Sequence, residues 1–330
     1  MKWKNGPVVV TGAGGFIGSH LTEALLREGA KVRALVRYNS KGTKGFLDRV
    51  PRELSSRLEV WPGDVTDATF VAELIKGREV VFNLAALIAI PYSYRAPRSF
   101  VSVNIEGTLN VLEACLRHGV KKVVQTSTSE VYGTAQYTPM DEKHPLQGQS
   151  PYSATKIGSD QLAESFHRSF GLPVAIARPF NTYGPRQSAR AVLPTIICQA
   201  LSGRPEINLG SLAPVRDFNF VDDTVAGFLA AAASPRSIGE TINFGTGRGV
   251  SIGEAARAIL KLTGGRAVLR EDRARVRPTK SEVGRLLCDN RKARRLLGWK
   301  PRVSLEEGLR RTIAYIRDNR GEYDPTVYTV

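Results

Sequence analysis

The sequence has few of the residues that would place it in a membrane or outside the cell. Its longest mainly apolar stretch, residues 80–90, has eleven residues, whereas about 20 are needed to cross a bilayer. No apolar segment follows the charged residues 1–6, so no secretory signal is predicted. The cysteines Cys115, Cys198 and Cys288 are odd in number and widely separated, which favours core thiols in a reducing compartment. We therefore predict a cytoplasmic protein with no membrane partner and no metal site.

Acidic residues are also in the minority. The chain has 31 Asp and Glu against 47 Lys and Arg, a formal net charge of +16. The cations are spread along the chain without a stacking platform or a recognition-helix pattern, so no nucleic-acid partner is predicted. The densest cationic run, residues 266–285, is either a solvated loop or a grip for a diphosphate, which arginine binds in a bidentate manner.

Short apolar segments alternate with helical patterns over the first half of the chain. Strands are predicted at residues 7–11, 31–36, 57–61, 80–84, 122–126 and 174–177, and helices at residues 16–27, 96–118 and 152–170. This alternation is typical of βαβ units and predicts an α/β fold of the Rossmann type, with a doubly wound parallel sheet.

After about residue 180, prolines and glycines interrupt shorter segments. Helices are predicted here at residues 191–202, 222–233, 251–262 and 304–319. We expect residues 1–180 to form one domain. Residues 181–330 are expected to form mainly a smaller region, interleaved with the first, that covers the mouth of the sheet and binds substrate.

A glycine-rich turn connects the first predicted strand to the first helix. Gly12, Gly15 and Gly18 are spaced three apart, and Phe16 and Ile17 open the helix. Glycines in a strand–turn–helix context allow close approach of a pyrophosphate, which the helix N-terminus attracts. Glycines also serve plain turns, but in this context they predict that residues 1–180 bind NAD or NADP.

The second predicted strand does not end on the acidic residue that holds the adenosine ribose of NAD. Arg37 follows Val36 there, which favours the 2′-phosphate of NADP over NAD; the alternative is an exposed arginine without a cofactor contact. Asp64 and Val65, after the third strand, are placed to meet the adenine. The residues expected to line the pyrophosphate and the nicotinamide ribose follow the fourth strand and are Leu84, Ala85 and Ala86.

Tyr152 and Lys156 are four residues apart on a predicted helix and therefore share a face. A lysine ammonium one turn away lowers the pKa of a phenol, so Tyr152 is a candidate base near neutral pH. Thr128 follows the fifth predicted strand, at the sheet edge where active sites of this fold open. A Tyr-x-x-x-Lys pair is common by chance, but behind a dinucleotide loop and beside a hydroxyl it becomes a strong signal for catalysis.

Together these motifs resemble the extended short-chain dehydrogenase/reductases over essentially the whole chain. The motifs that carry the resemblance are residues 11–18 (TGAGGFIG), 83–86 (NLAA), 152–156 (YSATK), 178–185 (RPFNTYGP) and Thr128. The resemblance implies that Tyr152 is the base, that Lys156 holds the nicotinamide ribose, and that Thr128 hydrogen-bonds the reacting hydroxyl.

Within that family, residues 128–130 (TSE) resemble the 4,6-dehydratases, which place a carboxylate at the third position. The Ser-Glu pair is that of the GDP-mannose dehydratases and also of the UDP-xylose-forming decarboxylases. Residues 88–94, 141–150 and 186–190 look like the NDP-N-acetylglucosamine 4,6-dehydratases of legionaminic-acid-type pathways. The resemblance implies that Glu130 takes the sugar C5 proton; a carboxylate capping a turn is the alternative. Ser129 stands where dTDP-glucose enzymes carry the acid that protonates the leaving hydroxyl. That acid is therefore unassigned, or Glu130 serves both steps.

The resemblance also implies a nucleotide-diphosphate sugar as substrate, expected to be UDP- or GDP-N-acetylglucosamine. The residues expected to bind it are Asn181, Arg190, Arg216 and Arg277, although any single arginine is more often a surface residue. The family pairs two helices of each subunit, so a homodimer through residues 96–118 and 152–170 is expected.

Three other functions remain open. A UDP-sugar 4-epimerase and a UDP-glucuronate decarboxylase share the fold and cofactor. A non-catalytic NADP-sensing regulator is a third, but a sensor would have no need of Tyr152, Lys156 and Thr128.

Overall fold

The computed structural model describes residues 3–272 and 281–323. Its strands are β1 (Pro7–Thr11), β2 (Lys31–Arg37), β3 (Leu58–Gly63), β4 (Val80–Asn83), β5 (Lys122–Thr126), β6 (Val174–Pro179), β7 (Asn181–Tyr183), β8 (Glu206–Leu209), β9 (Val215–Arg216), β10 (Phe218–Phe220), β11 (Thr241–Phe244), β12 (Val250–Ser251) and β13 (Val268–Glu271). Its α-helices are α1 (Phe16–Arg27), α2 (Ala68–Ile75), α3 (Ile90–Arg95), α4 (Pro97–Phe100), α5 (Gly107–Arg117), α6 (Pro151–Phe170), α7 (Val192–Leu201), α8 (Val221–Ala233), α9 (Ile252–Thr263), α10 (Arg291–Leu297) and α11 (Leu305–Asp318).

Seven strands form a parallel sheet in the order β11-β6-β5-β4-β1-β2-β3. The strand order reverses at β1, which lies between β2 and β4. In doubly wound sheets, ligands bind outside the carboxyl ends of the strands at this point. The predicted Rossmann-type α/β fold is confirmed, and it places the ends of β1, β4 and β5 side by side.

Both faces of the sheet are covered, which explains why its strands are almost continuously apolar. One core joins β1 to α1 and α8 through side chains such as Val10, Leu25 and Phe228. The other core packs α2, α5 and α6 against the opposite face, with Val111 and Phe166 among its buried members.

The long helix predicted at residues 96–118 is divided. A π-helical stretch, Val101–Glu106, separates α4 from α5. Inside it, Asn104 is buried; its amide nitrogen donates to Leu87 O at 3.0 Å and to Thr155 Oγ1 at 3.0 Å. The π-helical stretch therefore carries the side chain that ties the segment after β4 to helix α6.

Helix α2 and strand β11 were not predicted. Helix α2 has only eight residues, and Asp67 caps it by accepting from Phe70 N. Strand β11 lies well beyond residue 180, where it pairs with β6 and completes the sheet.

Beyond residue 180, α7, α9 and α11 pack on one another, and the strands β7–β10, β8–β13 and β9–β12 form three further pairs. Over residues 3–272 and 281–323, no helix combines the length and the apolar character needed to span a bilayer. In the same two ranges, no three His, Cys, Asp or Glu side chains gather as metal ligands.

Candidate active site

Several glycines at the junction of β1 and α1 leave no room for a side chain, Gly12 and Gly18 among them. Gly12 has φ +66°, and a Cβ there would lie 2.9 Å from Ala85 N. A Cβ on Gly18 would lie 2.2 Å from Gly12 O. On Gly15, by contrast, it would contact a single atom, Gly12 O, at 3.3 Å. Gly12 and Gly18 therefore serve the packing of the turn, whereas Gly15 presents an open backbone to a ligand.

Helix α1 begins at this open backbone. Gly15 is its N-cap residue, no side chain caps it, and its first turn contains no acidic residue. The N–H groups of a first turn, here including those of Phe16 and Ile17, attract anions. Helix and glycine turn together fit the pyrophosphate of a dinucleotide.

The segment after β4 forms the facing wall. Leu84 N and Ala85 N donate to Thr11 Oγ1 at 3.0 and 2.9 Å. The Thr11 hydroxyl in turn donates to Asn83 Oδ1 at 2.7 Å, and Asn83 Nδ2 donates to Gln125 Oε1 at 2.8 Å. This chain of hydrogen bonds crosses the ends of β1, β4 and β5, and it holds residues 84–86 beside the glycine turn.

Strand β2 ends on an exposed cation, and no acidic residue follows it closely in the sequence. Arg37 is exposed, and residues 38–47 contain no Asp or Glu. Arg37 pairs with Gly63 in the strand register, so Asp64 begins the neighbouring loop. Asp64 Oδ1 accepts from Thr66 N and Oγ1 at 2.9 and 2.8 Å, and Val65 is buried. The structure thus brings Arg37, Asp64 and Val65 to one corner of the sheet edge.

A 3₁₀ turn, Ser129–Tyr132, follows β5; Thr128 is its N-cap residue and Glu130 lies within it. Thr128 Oγ1 accepts from Glu130 N at 3.2 Å and is also hydrogen-bonded to the Tyr152 hydroxyl. Ser129 is buried, and Glu130 is half-buried. Residues 128, 130 and 152 are therefore brought together at the carboxyl end of the sheet, as the sequence predicts.

Tyr152 is enclosed on its other side by apolar residues. It packs with Ile90 and Phe100, and the Phe100 ring lies 6.3 Å from the Tyr152 ring, edge to face. Burial raises the pKa of Tyr152; the hydrogen bond with Thr128 opposes this, and the negative charges of Glu130 and Asp160 add to it. The lowered pKa expected from the spacing of Tyr152 and Lys156 is not found in the protein alone, because burial dominates.

Lys156 is buried one turn after Tyr152 on α6. Its Nζ donates to Thr126 O at 2.5 Å. Burial lowers the pKa of Lys156, and the nearby carboxylate of Asp160 raises it. The ammonium is thus held at the end of β5, within the same cluster as Tyr152 and Thr128.

The residues expected to bind substrate are in different situations. Asn181 has a buried Oδ1 with no hydrogen-bond partner among the described residues. Because buried polar atoms are normally hydrogen-bonded, this atom is a candidate for contact with a ligand. Arg216 is buried, and its Nη2 lies 3.2 Å from Glu282 Oε1. Arg190 is exposed on the loop before α7. Arg277 lies outside the described residues.

Sequence reasoning missed a buried polar network beneath this cluster, formed by Ser127, Tyr132, Asp160 and Arg178. One signal was available, because Tyr152, Lys156 and Asp160 follow one another at intervals of four residues on one helix face. Arg178 gave no such signal, since its partner is distant in sequence.

Comparisons with known proteins agree with this arrangement. Residues 9–312 match the family described as GDP-mannose 4,6 dehydratase. A dTDP-glucose 4,6-dehydratase from Streptomyces antibioticus is 36% identical over 324 residues, 96% of this chain and 94% of that protein. A UDP-glucose 4-epimerase from Mycolicibacterium smegmatis is 34% identical over 316 residues, 94% of this chain and 98% of that protein.

A solved structure is similar over the same extent. DesIV, a dTDP-glucose 4,6-dehydratase from Streptomyces venezuelae with NAD and TYD bound, superposes with a TM-score of 0.86 at 33% identity, covering 96% of this chain and 99% of that one. Dehydratases and epimerases are thus about equally similar to this chain, and identity alone does not separate the two reactions.

Proposed function

The chain belongs to the nucleotide-sugar 4,6-dehydratase/4-epimerase family of extended short-chain dehydrogenase/reductases, and from this premise we propose that it is an NAD(P)-dependent 4,6-dehydratase. Its proposed substrate is UDP-N-acetylglucosamine or the GDP counterpart, as in the legionaminic-acid-type group. The observation that carries the proposal is the carboxylate of Glu130, two residues after Thr128 and close enough to Tyr152 for its charge to raise the Tyr152 pKa.

Different side chains of the cluster carry out the different proton transfers of the reaction. Tyr152 removes the proton of the sugar C4 hydroxyl, which Thr128 positions by a hydrogen bond. The nicotinamide cofactor, when bound, accepts the C4 hydride and returns it to C6. Because a C4 ketone acidifies the C5–H bond, Glu130 then takes the C5 proton and delivers it to the departing C6 hydroxyl. As the hydride returns to C6, Glu130 passes a proton from solvent to C5, and Tyr152 releases the C4 hydroxyl proton to solvent. One water is lost, and the cofactor is not consumed.

Glu130 distinguishes this reaction from its rivals. A 4-epimerase returns the hydride to the other face of C4 and needs no base at C5. A decarboxylase loses the C6 carboxylate of a uronic acid, again without a C5 base. A half-buried carboxylate on the turn beside Tyr152 is suited to deprotonate C5.

The remaining residues are assigned to binding. Lys156 holds the nicotinamide ribose, and the exposed Arg37 favours NADP. Asn181, Arg190, Arg216 and Arg277 bind the nucleotide sugar; the orphaned Asn181 Oδ1 and the buried Arg216 support this.

We propose a cofactor-binding domain at residues 1–180 and a mainly substrate-binding region at residues 181–330, interleaved with it. We also propose a homodimer that buries apolar side chains left exposed along the helices at its interface, Val101, Leu116 and Phe170.

The first experiment identifies the reaction. Purified protein is incubated with NADP or NAD and a panel of nucleotide sugars, and product masses are measured. We expect UDP-N-acetylglucosamine or its GDP counterpart to become lighter by one water, with one deuterium gained at C5 in deuterated solvent. A product of unchanged mass would indicate an epimerase, and turnover confined to UDP-glucuronate would indicate a decarboxylase.

The second experiment separates the two roles. The absorbance of the reduced nicotinamide is followed during a single turnover. We expect Tyr152→Phe to form almost no reduced cofactor, because the first proton transfer is lost. Glu130→Gln should form the reduced cofactor and stall before water loss. The control Glu53→Gln removes an exposed carboxylate on the turn before β3, at the far edge of the sheet, and should behave as wild type. Normal turnover in Glu130→Gln would make that carboxylate structural.

A further inference from the structure

A buried ion pair lies beneath the proposed catalytic groups. Asp160 on α6 and Arg178 on β6 are 1% and 3% exposed, and Arg178 Nη2 donates to Asp160 Oδ2 at 2.9 Å. The same carboxylate oxygen accepts from Ser127 Oγ at 2.5 Å. Arg178 Nη1 donates to the Tyr132 hydroxyl at 2.7 Å, and its guanidinium lies 4.7 Å from the Tyr132 ring centroid.

This network joins the elements that carry the cluster. Ser127 immediately precedes Thr128, and Tyr132 ends the 3₁₀ turn that bears Glu130. The Tyr132 hydroxyl donates onward to Asn243 Oδ1 on β11 at 2.8 Å. The ends of β5, β6 and β11, the turn and α6 are therefore fixed to one another by Arg178 and Asp160.

Asp160 also faces the buried cation of the site. It lies one helical turn after Lys156, and its Oδ1 is buried with no hydrogen-bond partner among the described residues. The titratable groups that act on this part of the site are Tyr152 and Asp160 on α6 and Glu130 on the turn, and Arg178 on β6 is paired with Asp160. Among them, the carboxylate of Asp160 favours a charged Lys156.

Stability alone does not account for such a pair. A buried ion pair is often no more stabilising than apolar residues of the same volume, because both charges lose their hydration. Four polar side chains in the interior of the sheet therefore point to a role in the site above them.

We propose that Asp160, held by Arg178, is a positioning residue: its carboxylate keeps Lys156 charged and in place, and it fixes the turn that carries Glu130. The inference rests on the proposed function, because it takes Tyr152 and Lys156 as the groups that move the C4 proton and hold the cofactor.

The test begins with Asp160→Asn, which keeps the shape and removes the charge. Loss of a supporting partner typically costs about 10- to 100-fold in activity, and we expect this loss in kcat. Since Asp160 raises the pKa values of both Lys156 and Tyr152, both limbs of the pH profile for reduced-nicotinamide formation should move to lower pH, by about one unit. An unchanged rate and pH profile would overturn the proposal.

The double variant Asp160→Asn/Arg178→Gln separates positioning from folding. Removing one partner of a buried pair is strongly destabilising because it leaves an unpaired charge, whereas removing both avoids that cost. We expect the double variant to regain stability to urea and yet keep the low rate and the shifted pH profile. Recovery of both rate and profile together with stability would show that the pair is only structural.

A measurement without substrate keeps the two hypotheses apart. Affinity for NADP or NAD is measured by calorimetry at a series of pH values. As the pH is raised, the affinity of both variants should begin to fall at a lower pH than that of wild type, because Lys156 loses its proton earlier. If wild type releases no water from any nucleotide sugar, the proposed function fails. The pH dependence of cofactor affinity still decides the role of Asp160.

Discussion

The packing of the glycine turn predicts that two glycine-to-alanine substitutions have opposite consequences. A Cβ on Gly18 would stand 2.2 Å from Gly12 O, more than 1 Å inside the 3.4 Å of an ordinary contact. Such overpacking costs about 3 kcal/mol, and alanine regains about 1 kcal/mol inside a helix. We therefore expect Gly18→Ala to lose about 2 kcal/mol of unfolding free energy.

Gly15→Ala should leave the fold nearly intact. Gly15 has φ −81°, which alanine adopts freely, and its Cβ would meet one atom at 3.3 Å. As an N-cap change it should cost less than about 1 kcal/mol. The new methyl group nevertheless stands on the backbone that the pyrophosphate must approach, so cofactor affinity should fall steeply.

Thermal melting with and without cofactor measures both effects. With an unfolding entropy of about 2.1 cal/mol/K per residue, 330 residues give about 0.7 kcal/mol/K, so Gly18→Ala should melt about 3 °C below wild type. Cofactor at about 100 times its Kd stabilises by about 2.7 kcal/mol, or about 4 °C; Gly15→Ala should lose most of that shift. Gly321→Ala, where a Cβ has no atom within 4 Å, is the control. A full cofactor shift in Gly15→Ala, or a wild-type melting temperature in Gly18→Ala, would refute the reasoning.

Three further predictions concern single side chains. Arg37→Ala should weaken NADP binding by about 10- to 100-fold and leave NAD binding nearly unchanged, since a charge-assisted hydrogen bond contributes about 1.5–3 kcal/mol; equal calorimetric losses for both cofactors would contradict this. Asn181→Ala should weaken UDP binding by about tenfold without lowering the melting temperature, because its Oδ1 bonds no described residue; a destabilised variant with normal UDP affinity would show a structural role instead. Burial lowers the pKa of Lys122 to about 8 from 10.5, so the unfolded chain binds more protons between these values, and wild-type stability should gain more than that of Lys122→Met as pH rises from about 8 to about 10. Urea unfolding at both pH values would show it, and parallel curves for the two proteins would contradict it.

Local periodicity predicted much of the fold and the candidate cluster. The glycine motif and the Tyr152–Lys156 pair each span only a few residues. Local backbone geometry therefore fixes their arrangement, which made them predictable from sequence. Long-range partners could not be predicted in this way. Arg178 meets Asp160 only because β6 packs beneath α6, and Lys122, an ordinary start of a strand by pattern, donates to Ser234 O and Ser237 Oγ far along the chain. The π-helical stretch at 101–106 was missed because its composition is that of any amphipathic helix.

The position of β11 has a consequence for how this protein is made. The last strand of the sheet is synthesised about sixty residues after its neighbour β6, so until then β6 presents an unpaired edge, the kind of surface on which chains associate wrongly. The sheet is complete only when residue 244 has left the ribosome. The residues between the two strands are therefore synthesised while the sheet is still incomplete, and both of their ends are anchored in neighbouring strands of that sheet.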